Sequence, residues 1–150
     1  MLDRNLIGHS FGKRSLVVEE GAVRSYAQAI GETDATCFDP SAARAAGHRA
    51  LRVPPTFLSC LEGRLFPTRA LLELAGIDLK RLLHAEQSYD YHAQAYAGDT
   101  LSYEQKIVDI YDKKGGALEF LVKQTRVSNQ DGAHIADLRA ALVQRQLVKA

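Results

Sequence analysis

The hydrophobic period of the chain changes at Leu82, and that change restricts the fold more than any single motif does. Leu82–His92, Leu101–Tyr111, Leu118–Val127 and His134–Arg145 each run for about ten residues with strand-like composition. Ala97–Thr100, Lys113–Gly116 and Asn129–Gly132 lie between them and supply the Gly, Asn and Asp that tight turns need. The last segment contains Ala136–Leu142, whose pattern also suits a helix. Even spacing after three strands assigns it as a fourth. The back half therefore reads as an antiparallel meander.

The front half is helical after one short strand, Lys13–Glu19, which ends on the β-branched Val17 and Val18. Val23, Tyr26, Ala27 and Ile30 recur at helical spacing over Glu19–Ile30, with Glu19 and Glu20 in the first turn and Gly31 as the stop. The loop Gly31–Pro40, GETDATCFDP, follows. Ser41–Gly47 then reads as a short helix with Ser41 as its N-cap. Pro54 and Pro55 open the next helix, because a first-turn amide has no intrahelical partner to lose. Along it Phe57, Leu58, Leu61 and Leu65 form an apolar stripe that Pro67 ends, and a further helix, Arg69–Ala75, closes at Gly76. This order predicts an α+β fold, with one apolar helix held against one antiparallel sheet.

The chain of 150 residues reads as one domain, residues 1–150, large enough to fold without a staple. A formal net charge of +1, with no basic run and no acidic tail, argues against broad binding to nucleic acid or a membrane surface. Cys37 and Cys60 are the only cysteines and lie far apart. Neither a disulfide framework nor a thiolate zinc site is expected, and a reducing cytoplasm is the expected setting. No window approaches the roughly 20 apolar residues of a membrane span, and Met1–Ser10 has no stretch suited to a signal peptide.

The span Tyr26–Phe57 resembles the signature region of MaoC-like (R)-specific enoyl-thioester hydratases and dehydratases, and is most similar to the N-terminal type of MaoC dehydratase domain. Ala97–Leu101 is similar to the family's Gly-Asp hairpin signal before a strand. The resemblance implies a hotdog fold, a long antiparallel sheet wrapped around a central helix, here the one that follows Pro55. The family's active loop reads Gly-Asp-x-Asn-Pro-aliphatic-His-x-Asp-Pro. Matched without gaps, Gly31, Asp39 and Pro40 keep its frame. Glu32 stands at the catalytic Asp, Asp34 at the Asn, Ala35 at the Pro and Cys37 at the catalytic His. Pro54-Pro55 covers the His-Gly that begins the family's central helix.

Adding water to a 2-enoyl thioester needs a base of near-neutral pKa and a backbone N–H for the charge that develops on the thioester oxygen. Glu32 can still hold a water. A thiol with a reference pKa of about 8.5 is a poor substitute for histidine as a base. Pro55 has no N–H to give. The resemblance thus implies Glu32, Asp34 and Cys37 as catalytic candidates and Phe38, Pro55, Thr56 and Phe57 as substrate-binding candidates, in a copy that is weak or silent alone. It implies an acyl-CoA or acyl-carrier-protein thioester as ligand, and a second subunit, either another copy or an intact MaoC-like chain. No metal or cofactor is implied.

Rival readings stay open. They are a complete homodimeric hydratase using Glu32 with a rearranged base, a non-enzymatic acyl-thioester binding module, and a hotdog thioesterase using Glu62. The plainer reading of Glu32 and Asp34 is a solvated loop in which Asp34 bonds its own backbone, and of Cys37 a small buried side chain. The resemblance puts His48 where the family often has an aromatic at the pocket mouth, which implies stacking or surface exposure rather than catalysis. It puts Arg49 and Arg52 near the entrance, suited to substrate phosphates or to a plain exposed loop. His84 and His92 are expected on one strand face with Glu86, Ser88 and Asp90, a solvated face rather than a metal-ligand set.

Overall fold

The computed structural model describes residues 1–146. In chain order the elements are Ser10–Val17 (β1), Glu20–Ala29 (α1), Pro40–Ala45 (α2), Phe57–Leu65 (α3), Thr68–Ala75 (α4), Leu82–Tyr91 (β2), Thr100–Lys113 (β3), Leu118–Ser128 (β4) and His134–Arg145 (β5), with short 3-10 turns at Arg4–Leu6, Ala35–Cys37 and Leu79–Arg81. The five strands form one antiparallel sheet in the order β1-β3-β4-β5-β2. β3, β4 and β5 form the predicted meander and the ambiguous last segment is strand throughout, but β2 does not head it: β2 pairs with β5 at the far edge instead of with its chain neighbour β3. β1 and β2 are the two edges.

Helices α3 and α4 divide one face of the sheet between them. Phe57, Leu58 and Leu61 of α3 are buried in a cluster with Leu101, Tyr103, Val127 and Leu138 of β3, β4 and β5. Leu71 and Leu72 of α4 form a second cluster with Ile107, Ile110, Leu121 and Leu142 further along the same strands. Fully burying side chains of this size stabilises by roughly 1.5–3 kcal/mol each, so these two patches dominate the fold. Among the described residues no helix is long and apolar enough to cross a membrane.

Four local expectations are corrected. The first strand starts three residues before Lys13 and ends two before Glu19, because β1 pairs from Ser10 to Val17, with an irregular stretch before Lys13. Helix α2 is capped by Asp39, not Ser41: the Asp39 carboxylate accepts from Ser41 N (2.8 Å) and Ser41 Oγ (2.6 Å), and Pro40 takes the first helical position. Ile30 does not join the buried stripe of α1; it is the C-cap and is exposed, leaving Val23 and Ala27 to anchor the helix. Finally, His84 and His92 do not share a face. The register slips by one residue between His84 and Glu86, so His84 turns toward α3 with Gln87 and Tyr89, while Glu86, Ser88, Asp90 and His92 face away.

Candidate functional site

Helix α1 ends at Ile30, and Gly31 takes a left-handed conformation (φ 73°) that directs the chain into the GETDATCFDP loop. Each carboxylate in that loop then folds back on local backbone. Glu32 Oε1 accepts from Thr33 N (2.8 Å) and Asp34 N (3.0 Å). Asp34 Oδ1 accepts from Thr36 N (2.9 Å) and Thr36 Oγ1 (2.7 Å), capping the turn Ala35–Cys37. Asp39 caps α2 as described. The amide and hydroxyl of Thr36 hold the Asp34 carboxyl below the usual range, with Arg52 and His48 favouring the same ionised form.

Cys37 is 1% exposed. Burial pushes its thiol up, and Arg52 only partly opposes this, so the sulfur is a neutral packed atom and not a proton acceptor. Phe38 is half-buried, and its carbonyl accepts from Arg24 Nε (2.8 Å).

The loop is fastened to the segment that leads into α3. Arg52 N donates to Thr36 O (3.0 Å), and its guanidinium lies 3.3 Å from Asp34 Oδ2. On the other side Val53 N bonds Ala95 O, Ala97 N bonds Leu51 O, and Arg52 bridges Tyr96. Arg49 pairs with Asp99, a fully buried carboxylate that also accepts from Tyr96 N (2.8 Å), and stacks its guanidinium on the Tyr96 ring. His48 Nδ1 meets Tyr96 Oη at 3.1 Å. The two arginines near the entrance, open to substrate phosphates or to plain loop exposure on the sequence alone, are therefore joined to Asp99 and Asp34.

At the start of α3, Pro55 O accepts from the Tyr91 hydroxyl, and Phe57 N already donates to Pro54 O (3.0 Å). Thr56 Oγ1 is 2.7 Å from Tyr26 Oη, so it does not cap the helix, and Tyr26 stacks on Phe57 with centroids 4.7 Å apart. A cavity of about 320 Å³ opens here, lined by Pro54, Pro55, Leu58, Tyr91, His92 and Ile135 among others. Of the catalytic and substrate-binding candidates, Pro55 lines it and Glu32, Asp34, Cys37, Phe38, Thr56 and Phe57 do not; His92, expected on a solvated strand face, lines it too. The loop and the cavity are neighbours through residues 51–56, not parts of one pocket. The sequence singles out neither Tyr26, placed in the stripe of α1, nor Tyr91 as a site residue. The alternation that places Tyr89 and Tyr91 together on the α3-facing side of β2 was the available signal.

On the other flank of α3 a second cavity, about 350 Å³, contains Ser59, Glu62, Tyr89 and Lys123. Glu62 points into the sheet and is 4% exposed. Its carboxylate accepts from Lys123 Nζ (2.7 Å), Gln105 Nε2 (2.9 Å) and the Thr125 hydroxyl. A larger basic groove of about 900 Å³, with Lys80, Arg81, Lys114 and Arg145, lies at the opposite end of β2 and β5 and includes none of the sequence-singled residues.

Comparison with known proteins agrees with this architecture. The family described as the FAS1-like dehydratase domain region matches residues 5–138. A UPF0336 protein of Clavibacter michiganensis subsp. michiganensis is 34% identical over 124 residues, covering 82% of this chain and 81% of its own. Among solved structures, the C-terminally truncated HadBC (3R-hydroxyacyl-ACP dehydratase) complex from Mycobacterium tuberculosis superposes with a TM-score of 0.77 at 21% identity, over 92% of this chain and 96% of that one. The (R)-hydratase from A. caviae involved in PHA biosynthesis gives 0.69 at 18% identity, over 93% and 96%. At these identities the structures establish a shared hotdog fold.

Proposed function

The chain belongs to the FAS1-like dehydratase domain region family, and from that premise we propose that it is the acyl-binding subunit of an (R)-3-hydroxyacyl-thioester dehydratase, or 2-enoyl-thioester hydratase, whose Asp/His pair comes from a partner. The observation that carries this is the state of the GETDATCFDP loop. Its frame is intact, with Gly31 turning the chain and Asp39-Pro40 starting α2, while every group at a chemical position is otherwise engaged. Glu32 bonds the amides of its own loop, Asp34 is held ionised by Thr36, and Cys37 is a buried neutral thiol. At the helix start Pro55 lacks an N–H and the Phe57 amide is taken by Pro54.

Two further points support the reading. The structurally similar HadBC protein is a complex of dehydratase chains. The cavity at Pro55 and Leu58, apolar on the helix side, suits an acyl chain of a CoA or carrier-protein thioester. Free Cys37 and Cys60 suit a reducing cytoplasm. A thioesterase using Glu62 is disfavoured, because that carboxylate is already held by Lys123, Gln105 and Thr125.

The test is hydration of crotonyl-CoA by the purified chain, alone and with an intact MaoC-like partner. Missing the base and one oxyanion donor removes roughly 10⁴–10⁷ in rate when the two losses multiply. The chain alone should therefore be almost inactive while still binding acyl-CoA. An ordinary enzyme rate from the isolated chain, abolished by Glu32→Ala, would refute the proposal in favour of a complete enzyme. Tight acyl-CoA binding with no active partner recoverable would favour a binding module.

A further inference from the structure

On the face of the sheet turned away from α3 and α4, we propose a binding site for a divalent cation of the zinc type, formed by His92, His134 and Asp137. This inference does not rest on the dehydratase reading, although His92 also lines the cavity at the start of α3.

Asp137 stands on β5 between Ala136 and Leu138, both buried under the helices, so its carboxylate leaves from the opposite face. His134 opens the same strand. His92 follows the end of β2, the neighbour of β5, and its amide is tied to Ile135 O at 2.9 Å. His134 and Asp137 on β5 and His92, just past the end of β2 and held to β5 by its amide, thus bring three donors to one point.

The donor geometry suits an ion. Nε2 of His92 lies 3.1 Å and Nε2 of His134 3.0 Å from the same oxygen, Asp137 Oδ2, and all three donor atoms fall within 4.8 Å of one another. A zinc ion about 2.0–2.1 Å from each ligand separates its donors by roughly 2.9 Å at a right angle and 3.4 Å at a tetrahedral one. The two nitrogen-to-carboxylate spacings lie between those limits. Two imidazoles and one carboxylate, with a coordination position left for water, form an N₂O set that favours zinc, nickel or copper over magnesium or calcium.

The orientation of His134 adds a second, independent sign. Its Nε2 is buried and 3.0 Å from Asp137 Oδ2, yet it makes no hydrogen bond: the ring nitrogen is aimed past the oxygen. A cation held between the two groups gives that nitrogen the partner it lacks. The two imidazoles stack with centroids 4.1 Å apart, so their nitrogens stand side by side facing the carboxylate. Arg126, opposite Asp137 in the register, and Asp90, opposite it on β2, are the nearest charged positions across the ladder.

The experiment uses the full chain with any affinity tag removed and Cys60→Ser in every sample, so that the exposed thiol cannot bind metal. Calorimetric titration with zinc should show a single ion per chain, and zinc but not magnesium should raise Tm. Asp137→Asn and His134→Ala should each weaken zinc binding by about tenfold or more. Cobalt(II) should give a d–d absorption band that these variants lose. Melting in EDTA checks that each variant folds, and the exposed His92→Gln provides a third variant with little packing to disturb. Absence of zinc binding by the parent chain, or binding that all folded variants retain unchanged, would overturn the site.

Discussion

Replacing Lys123 with methionine isolates the strongest electrostatic commitment in the core. Glu62 and Lys123 side chains are 5% and 16% exposed and meet at 2.7 Å between α3 and the sheet. At that distance the attraction is about 6 kcal/mol with an effective dielectric near 20, before the cost of dehydrating both ions. Removing one member of a buried pair costs about 3–5 kcal/mol, because the other charge stays behind. Glu62 would retain its bonds from Gln105 and Thr125, which places Lys123→Met at the lower end, about 3 kcal/mol. For a chain of this size that is a fall of roughly 6–12 °C in Tm. Glu62→Gln should cost less, about 1–2 kcal/mol, since the longer ammonium can reach water. The double variant should recover to within about 1 kcal/mol of the parent, because neither charge is then buried. Urea denaturation at neutral pH, followed by circular dichroism, measures all three. A Lys123→Met loss below about 1 kcal/mol, or single effects that simply add in the double variant, would show that the pair is screened and the reasoning wrong.

The remaining predictions concern the loop. Cys60 is exposed and should react rapidly with a thiol reagent, whereas Cys37 should react only as fast as the chain opens; equal fast labelling of both thiols would contradict the burial of Cys37. The Asp34 carboxyl titrates below its ordinary value of 3.8, chiefly because of the Thr36 amide and then the Thr36 hydroxyl. Its contribution to stability is complete above that ordinary value and disappears as pH falls through the lower folded one. Thr36→Val should raise the Asp34 pKa part of the way back, leaving the amide's share, and carboxyl carbon NMR titration reads this directly. No movement would mean that the hydroxyl bond is unimportant.

Features set by neighbouring residues were legible in the sequence. Gly31 ends α1, Asp34 caps its own turn, and the turn glycines separate β3, β4 and β5, all through contacts within a few positions. The N-cap of α2 is misassigned to Ser41 from the sequence: Asp39 competes for the role, and Pro40 between them decides it by fitting the first helical position. The direction of Glu62 was not legible, because one more residue beyond Leu61 falls inside or outside the buried stripe according to what faces it. What faces it is Gln105, Lys123 and Thr125, more than forty positions away in the chain. The face of His84 depended on a one-residue slip in β2, which period-2 alternation cannot announce. His134 drew no notice, since its partners His92 and Asp137 come together only when β2 pairs with β5.

The fastening of the GETDATCFDP loop has a kinetic consequence. Its turns are closed by Glu32, Asp34 and Asp39, and its middle is stitched to Arg52, so its conformational entropy is lost during folding and not on encounter. Whatever docks on this end of the molecule meets a surface that is already set. Association there should proceed in one step, at a rate governed by collision and orientation, with no slow phase in which the loop must first take shape.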